Sequence, residues 1–90
     1  MTDKKGKIRV LVADDSFFMR KLISDVLNED AEIEVVGQAS DGFKVLEEIP
    51  HCKPDVVVMD YDMPKMNGLE ATRRIMQGDD PHPIVLMLSC

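Results

Sequence analysis

Ninety residues, 44% hydrophobic and 31% charged, have the composition of a single folded domain and exclude a disordered tail. A formal net charge of −6 is the wrong sign for a surface that neutralises phosphates in bulk, so nucleic acid is excluded as a partner of this segment. No apolar run approaches the ~20 residues that cross a bilayer, which excludes a membrane span.

The chain opens on a basic leader, Lys4, Lys5 and Lys7, that runs straight into an apolar stretch. It lacks the separate apolar segment and small-residue cleavage site of an export signal. The expectation is a cytoplasmic protein in which residues 1–7 form a flexible leader. Ile8 to Ala13 is short, rich in β-branched residues and closed by Asp14 and Asp15, which predicts a strand. A helix follows: Phe18, Leu22 and Val26 form one i, i+4 row, and Met19, Ile23 and Leu27 form the adjacent one. Ser16 is placed to cap its start, and Asn28 lies near its end.

Ile33 to Ala39 reads as a second strand, and Ser40, Asp41 and Gly42 supply the turn and cap for a second helix carrying Val45, Leu46 and Ile49. Val56 to Met59, ending on Asp60, is a third strand. Asp60 to Gly68 forms a loop, with Asn67 and Gly68 as a turn. A third helix then runs from Leu69 through Met76, with Leu69, Thr72, Ile75 and Met76 on one face. Gly78, Asp79, Asp80, Pro81 and Pro83 stop it, and Ile84 to Leu88 gives a fourth strand ending on Ser89. The third and fourth strands are apolar at nearly every position, as expected of strands buried on both faces of a parallel sheet. Intervening segments longer than a dozen residues suit helical crossovers. The alternation βαβαβαβ predicts a doubly wound α/β domain. Cys52 and Cys90 fit neither a CxxC pair nor a zinc spacing and read as two reduced thiols.

In open α/β sheets, ligands bind beyond the carboxyl ends of the strands, where the winding reverses. Asp14, Asp15, Asp60 and Ser89 all fall at such ends. A lone acid there is ordinarily a helix cap or a solvated loop residue. Several carboxylates sharing one edge repel one another and favour protonation unless a cation neutralises them. A hard divalent ion answers that need.

With these residues in place, the chain resembles the receiver domain of two-component response regulators over essentially its whole length. The matching features are Val10-Leu-Val-Ala-Asp-Asp-Ser16, Pro54-Asp-Val-Val-Val-Met-Asp60, Met63-Pro64, Gly68-Leu-Glu70 and the apolar strand ending in Ser89. The resemblance implies a flavodoxin-like sheet of order 2-1-3-4-5 and a site in which Asp60 accepts a phosphoryl group from a sensor histidine kinase. It implies Mg²⁺, with Mn²⁺ able to substitute, held directly by Asp15, through water by Asp14, and by Asp60 and the backbone carbonyl of Asp62. Ser89 would donate a switch hydrogen bond to the phosphoryl group, with Met63, Pro64 and Gly68 positioning the loop; the Asp62 carboxylate would face water.

Within the family, Asp15-Ser16 with Met19-Arg20, Ile33-Glu-Val-Val-Gly37, Arg74-Ile-Met76 and Pro83-Ile-Val-Leu-Met-Leu-Ser89 look most like the chemotaxis protein-glutamate methylesterase receiver. Receivers attached to DNA-binding output domains share Val35-Val-Gly37, Ala39, Asp41-Gly42 and Gly68-Leu-Glu-Ala-Thr-Arg-Arg74 and form the alternative. A complete receiver continues through a fifth strand, two further helices, an invariant lysine and an aromatic switch residue. Residues 1–90 are therefore expected to be one receiver domain truncated after its fourth strand, with the output domain beyond Cys90 and no turnover enzyme of its own. Lys65, in the loop after Asp60, is no substitute for that lysine. The fourth strand, lacking its usual cover, is expected to promote self-association. The rival from another class is a haloacid-dehalogenase-like phosphohydrolase using Asp60 and Asp62. That family places its Asp-x-Asp pair after the first strand and gives no role to Asp14 and Asp15.

Overall fold

A computed structural model of the chain describes residues 6–88. The expectations for the leader before Gly6, for Ser89 and for Cys90 lie outside the described residues. Seven elements alternate: β1 (Ile8–Ala13), α1 (Phe17–Asn28), β2 (Ile33–Ala39), α2 (Gly42–Cys52), β3 (Val56–Asp60), α3 (Gly68–Gln77) and β4 (Ile84–Leu88). The strands form one sheet of order β2-β1-β3-β4, and every pairing is parallel. This is the doubly wound arrangement expected from the alternation, with the flavodoxin-like order that the resemblance implied.

The order sets where the helices lie. β2 and β3 flank β1 on opposite sides, so the chain reverses its winding at β1. Right-handed crossovers then place α1 on one face of the sheet and α2 and α3 on the other. Beneath α2 and α3 sits the core: Leu11 and Ala13 from β1, Ala39 from β2, Val57 and Met59 from β3, Val45 and Cys52 from α2, and Ala71 and Ile75 from α3. Burying each larger side chain of this set contributes about 1.5–3 kcal/mol relative to leaving it in water. At the opposite end of the sheet from the acids, Arg9 ties α2 to β1: its Nη2 donates to the Cys52 carbonyl (2.6 Å) and its backbone N–H to the Asp55 carboxylate (2.9 Å).

Burial departs from the expected pattern on β3 and β4. On β3, Val57 and Met59 are buried while Val56 and Val58 are only half-buried. On β4, Val85 is half-buried and Ile84, Leu86, Met87 and Leu88 are exposed. The apolar runs are therefore not covered on both faces. The reason is geometric: among the described residues the α1 face carries a single helix, which contacts β1 and β2, and β4 is an edge.

The inner face of α3 also differs from the expected one. Gly68, Ala71 and Ile75 are buried, whereas Leu69 and Met76 are exposed. Small residues face inward, and at Gly68 the start of the helix abuts the end of β3. Asn67 and Gly68 are not a free turn: Asn67 caps α3, accepting from the Glu70 N–H at 2.9 Å, and Gly68 is the first helical residue.

Candidate functional site

The register of the two central strands builds the site. Ala13 of β1 lies opposite Met59 of β3, so the residues that follow, Asp14 and Asp60, leave the sheet side by side. Carboxylate oxygens of Asp14, Asp15 and Asp60 all lie within 4.8 Å of one another. Asp14 is buried, Asp60 half-buried and Asp15 exposed, so the cluster opens to solvent on one side.

Asp14 is fixed through its N–H, its Oδ1 and its carbonyl. Its N–H donates to the Ala39 carbonyl at 3.0 Å, its Oδ1 accepts from the Ser16 N–H at 2.9 Å, and its carbonyl accepts from Arg20 Nη1 at 2.8 Å. Ser16 in turn caps α1, its hydroxyl accepting from the Met19 N–H at 3.2 Å. The strand-to-helix junction that sequence signals placed after Ala13 thus serves to hold a carboxylate.

The electrostatics follow from the geometry. Burial pushes the Asp60 carboxyl above its ordinary value; the Asp62 amide hydrogen-bonded to it pulls the other way, and the charges of Asp14, Asp15 and Asp62 add to the upward shift. The like charges of Asp14 and Asp15 thus oppose the ionisation of Asp60, and a hard divalent cation relieves that opposition. The residues present fit Mg²⁺: they offer a few oxygen ligands on a solvent-open side, which leaves room for the waters this ion keeps.

The loop after β3 is fastened at several points. The Gly68 N–H donates to the Tyr61 carbonyl at 2.8 Å, and a Cβ added at Gly68 would lie 2.5 Å from the Asp60 carbonyl oxygen. Only glycine allows α3 to start that close to the strand end. Met63 and Met66 turn into the core, and the Met66 carbonyl accepts from the Gly42 N–H at 3.1 Å. Gly42 is equally tight, since a Cβ there would lie 2.6 Å from that same carbonyl oxygen. Pro64 and Asp62 are exposed, and the Asp62 carboxylate is not among the three that converge. Lys65 points away, its Nζ 3.8 Å from the carboxylate of Asp41. Leu88 pairs with Asp60, so β4 delivers the chain to the same edge; Ser89 lies just beyond the described residues.

Arg20, Gly42 and Met66 went unremarked as site-supporting residues in the sequence. Their roles depend on contacts between segments distant in the chain, which no local periodicity reports.

Comparison with known proteins bears on this geometry. The family model described as the response regulator receiver domain matches residues 10–90. A protein-glutamate methylesterase/protein-glutamine glutaminase from Pyrococcus abyssi is 52% identical over 81 residues, covering 90% of this chain and 22% of that protein. The chain thus spans about a fifth of the length of this curated relative. The crystal structure of the response regulator domain of Thermotoga maritima CheB superposes with a TM-score of 0.85 at 43% identity, covering 92% of this chain and 60% of that one. A CheX–CheY–BeF₃–Mg²⁺ complex from Borrelia burgdorferi matches with a TM-score of 0.80 at 29% identity, covering 94% and 69%. Among the described residues, no helix is long and apolar enough to cross a membrane.

Proposed function

Because this chain belongs to the response regulator receiver family, we propose that it is a phosphoacceptor switch in which Asp60 takes a phosphoryl group from a sensor histidine kinase. The observation that carries this reading is the convergence of Asp14, Asp15 and Asp60 at the ends of the two central strands. A carboxylate oxygen of Asp60 attacks phosphorus in line with the bond to the kinase histidine. A phosphorus–oxygen bond forms, the phosphorus–nitrogen bond breaks, and its electron pair leaves on the imidazole nitrogen. The product is a mixed acyl phosphate on Asp60.

Asp15, Asp60 and the Asp62 carbonyl would hold Mg²⁺ directly and Asp14 through water, and the ion would supply charge neutralisation to the transferring phosphoryl oxygens. Mn²⁺ would serve in its place. The hydroxyl of Ser89 would donate to the phosphoryl group and draw the end of β4 inward, altering the surface seen by partners. Met63, Pro64 and Gly68 keep the loop after Asp60 in place; for Met63 and Gly68 their burial supports this role.

The parent is a cytoplasmic chemotaxis methylesterase, with residues 1–90 as its receiver and the hydrolase as its output domain. The identity to the Pyrococcus abyssi protein and the likeness to the Thermotoga maritima CheB domain support that choice over a DNA-binding regulator. Intact-mass measurement after incubation with acetyl phosphate tests the phosphoacceptor reading. One phosphoryl group per chain, formed only with Mg²⁺ or Mn²⁺ and prevented by EDTA, is the expected result. Multiple-turnover release of phosphate from small phosphomonoesters would replace the switch with a phosphohydrolase.

A further inference from the structure

Arg20 lies one turn into α1, half-buried, and reaches back across the junction that carries the acids. Its Nη1 donates to the Asp14 carbonyl at 2.8 Å, its Nε to the Gln38 side chain on β2 at 3.3 Å, and its guanidinium lies 5.7 Å from the centroid of the Phe17 ring. A cation near the N-terminus of a helix is disfavoured by the helix dipole, so local helix energetics do not explain its place. The carbonyl it holds belongs to the peptide unit joining Asp14 to Asp15. A peptide unit is planar, so fixing that oxygen fixes the direction in which Asp15 leaves the strand. Asp15 is the exposed member of the cluster, without the burial that restrains Asp14.

We infer that Arg20 is a positioning residue for divalent-cation loading: its fork, braced on Gln38 and Phe17, holds the 14–15 peptide so that the Asp15 carboxylate converges with those of Asp14 and Asp60. This rests on the reading of those three acids as a cation site. Two opposing effects make it testable by sign. As a bare charge, Arg20 repels an incoming cation, so its removal should tighten binding by about fivefold or less at this exposure. As a positioning group, its removal frees Asp15 and should weaken binding about tenfold, the scale seen when partners that orient metal ligands are lost. Arginine is needed because its planar fork makes both bonds at once, which a lysine ammonium in one place cannot reproduce.

Mg²⁺ titration of the 90-residue chain, followed by amide NMR shifts, measures the effect in wild type, Arg20→Ala and Arg20→Lys, with metal-free spectra as the control for folding. The expected result is about tenfold weaker Mg²⁺ binding in Arg20→Ala and a loss of several-fold in Arg20→Lys despite the retained charge, with metal-free shifts outside residues 13–20 and 38 unchanged. Mn²⁺ should broaden the Asp15 amide less in both variants than in wild type. Saturable binding in wild type with equal or tighter binding in both variants would overturn the role of Arg20 alone. No saturable Mg²⁺ shift in wild type would overturn the cation site itself, and this inference with it.

Discussion

The two faces of the sheet are built unequally. Under α2 and α3, β1 and β3 contribute Leu11, Ala13, Val57 and Met59 to a closed core. Under α1, Val10 and Val12 of β1 are buried, Val56 and Val58 of β3 are half-covered, and Ile84, Leu86 and Leu88 of β4 are exposed. The acids follow the closed part, since both strands that bear them run through its centre. One packed face is thus enough to fix the convergence of three carboxylates, while the other exposes apolar side chains among the described residues.

The contrast should be largest in stability. Met59→Ala removes a side chain with 0% exposure and should cost about 2–5 kcal/mol. Leu86→Ala, at 53% exposure, should cost under about 1 kcal/mol, because little of that side chain leaves water on folding. Urea unfolding compares the two, and equal costs would break the distinction between the faces. Gly68→Ala should cost about 1–3 kcal/mol, because the added methyl collides with the Asp60 carbonyl. It should also slow phosphoryl uptake, while Gly78→Ala, whose nearest neighbour lies at 3.4 Å, should not.

The open face should also announce itself in solution. Exposed Phe18, Leu22 and Val26 of α1 and Ile84, Leu86 and Leu88 of β4 form the kind of surface and strand edge that recruits another chain. Sedimentation of the 90-residue chain should show concentration-dependent association, and Leu86→Lys should reduce it. A wild-type chain that stays monomeric into the millimolar range would show that this edge is protected.

Much of the fold and of the site was legible in the chain. The strands stood out through β-branched runs closed by acids, and the site through acids at strand ends. The helix caps were readable at Ser16 and Asp41, each of which accepts a backbone N–H in the first turn of its helix. Burial was legible only in part, since the exposed fourth strand was expected from the resemblance and not from its periodicity. An apolar run such as Ile84 to Leu88 reads the same whether or not a helix covers it, because cover comes from elsewhere in the chain. The inner face of α3 was misjudged for a related reason. Leu69 and Met76 are the larger apolar side chains, but close approach to Asp60 selects Gly68, which turns Ala71 and Ile75 inward. The reach of Arg20 to Asp14 and Gln38 is likewise tertiary.

The smallest predicted effect concerns ionisation at the site. The Asp60 carboxyl titrates above its ordinary value in the folded chain, so the folded state holds that proton more tightly than the unfolded state does. Stability from this group is complete below the ordinary value, near pH 4, and is lost as pH rises through the raised one. Asp60→Asn should therefore stabilise the metal-free protein at neutral pH, by at most about 1 kcal/mol because water screens this open site. The advantage should vanish as pH falls toward about 4. Paired urea titrations across that range read the trend, and a variant less stable than wild type at neutral pH would reverse the sign.

The most direct test of the account is to locate the acyl phosphate. The chain is treated with acetyl phosphate and Mg²⁺, reduced with borohydride to trap the labile anhydride, and mapped by peptide mass spectrometry. The modification should fall on Asp60 alone and disappear in Asp60→Asn. Labelling of Asp14 or Asp15, or labelling that persists unchanged in Asp60→Asn, would contradict the assignment of the phosphoacceptor.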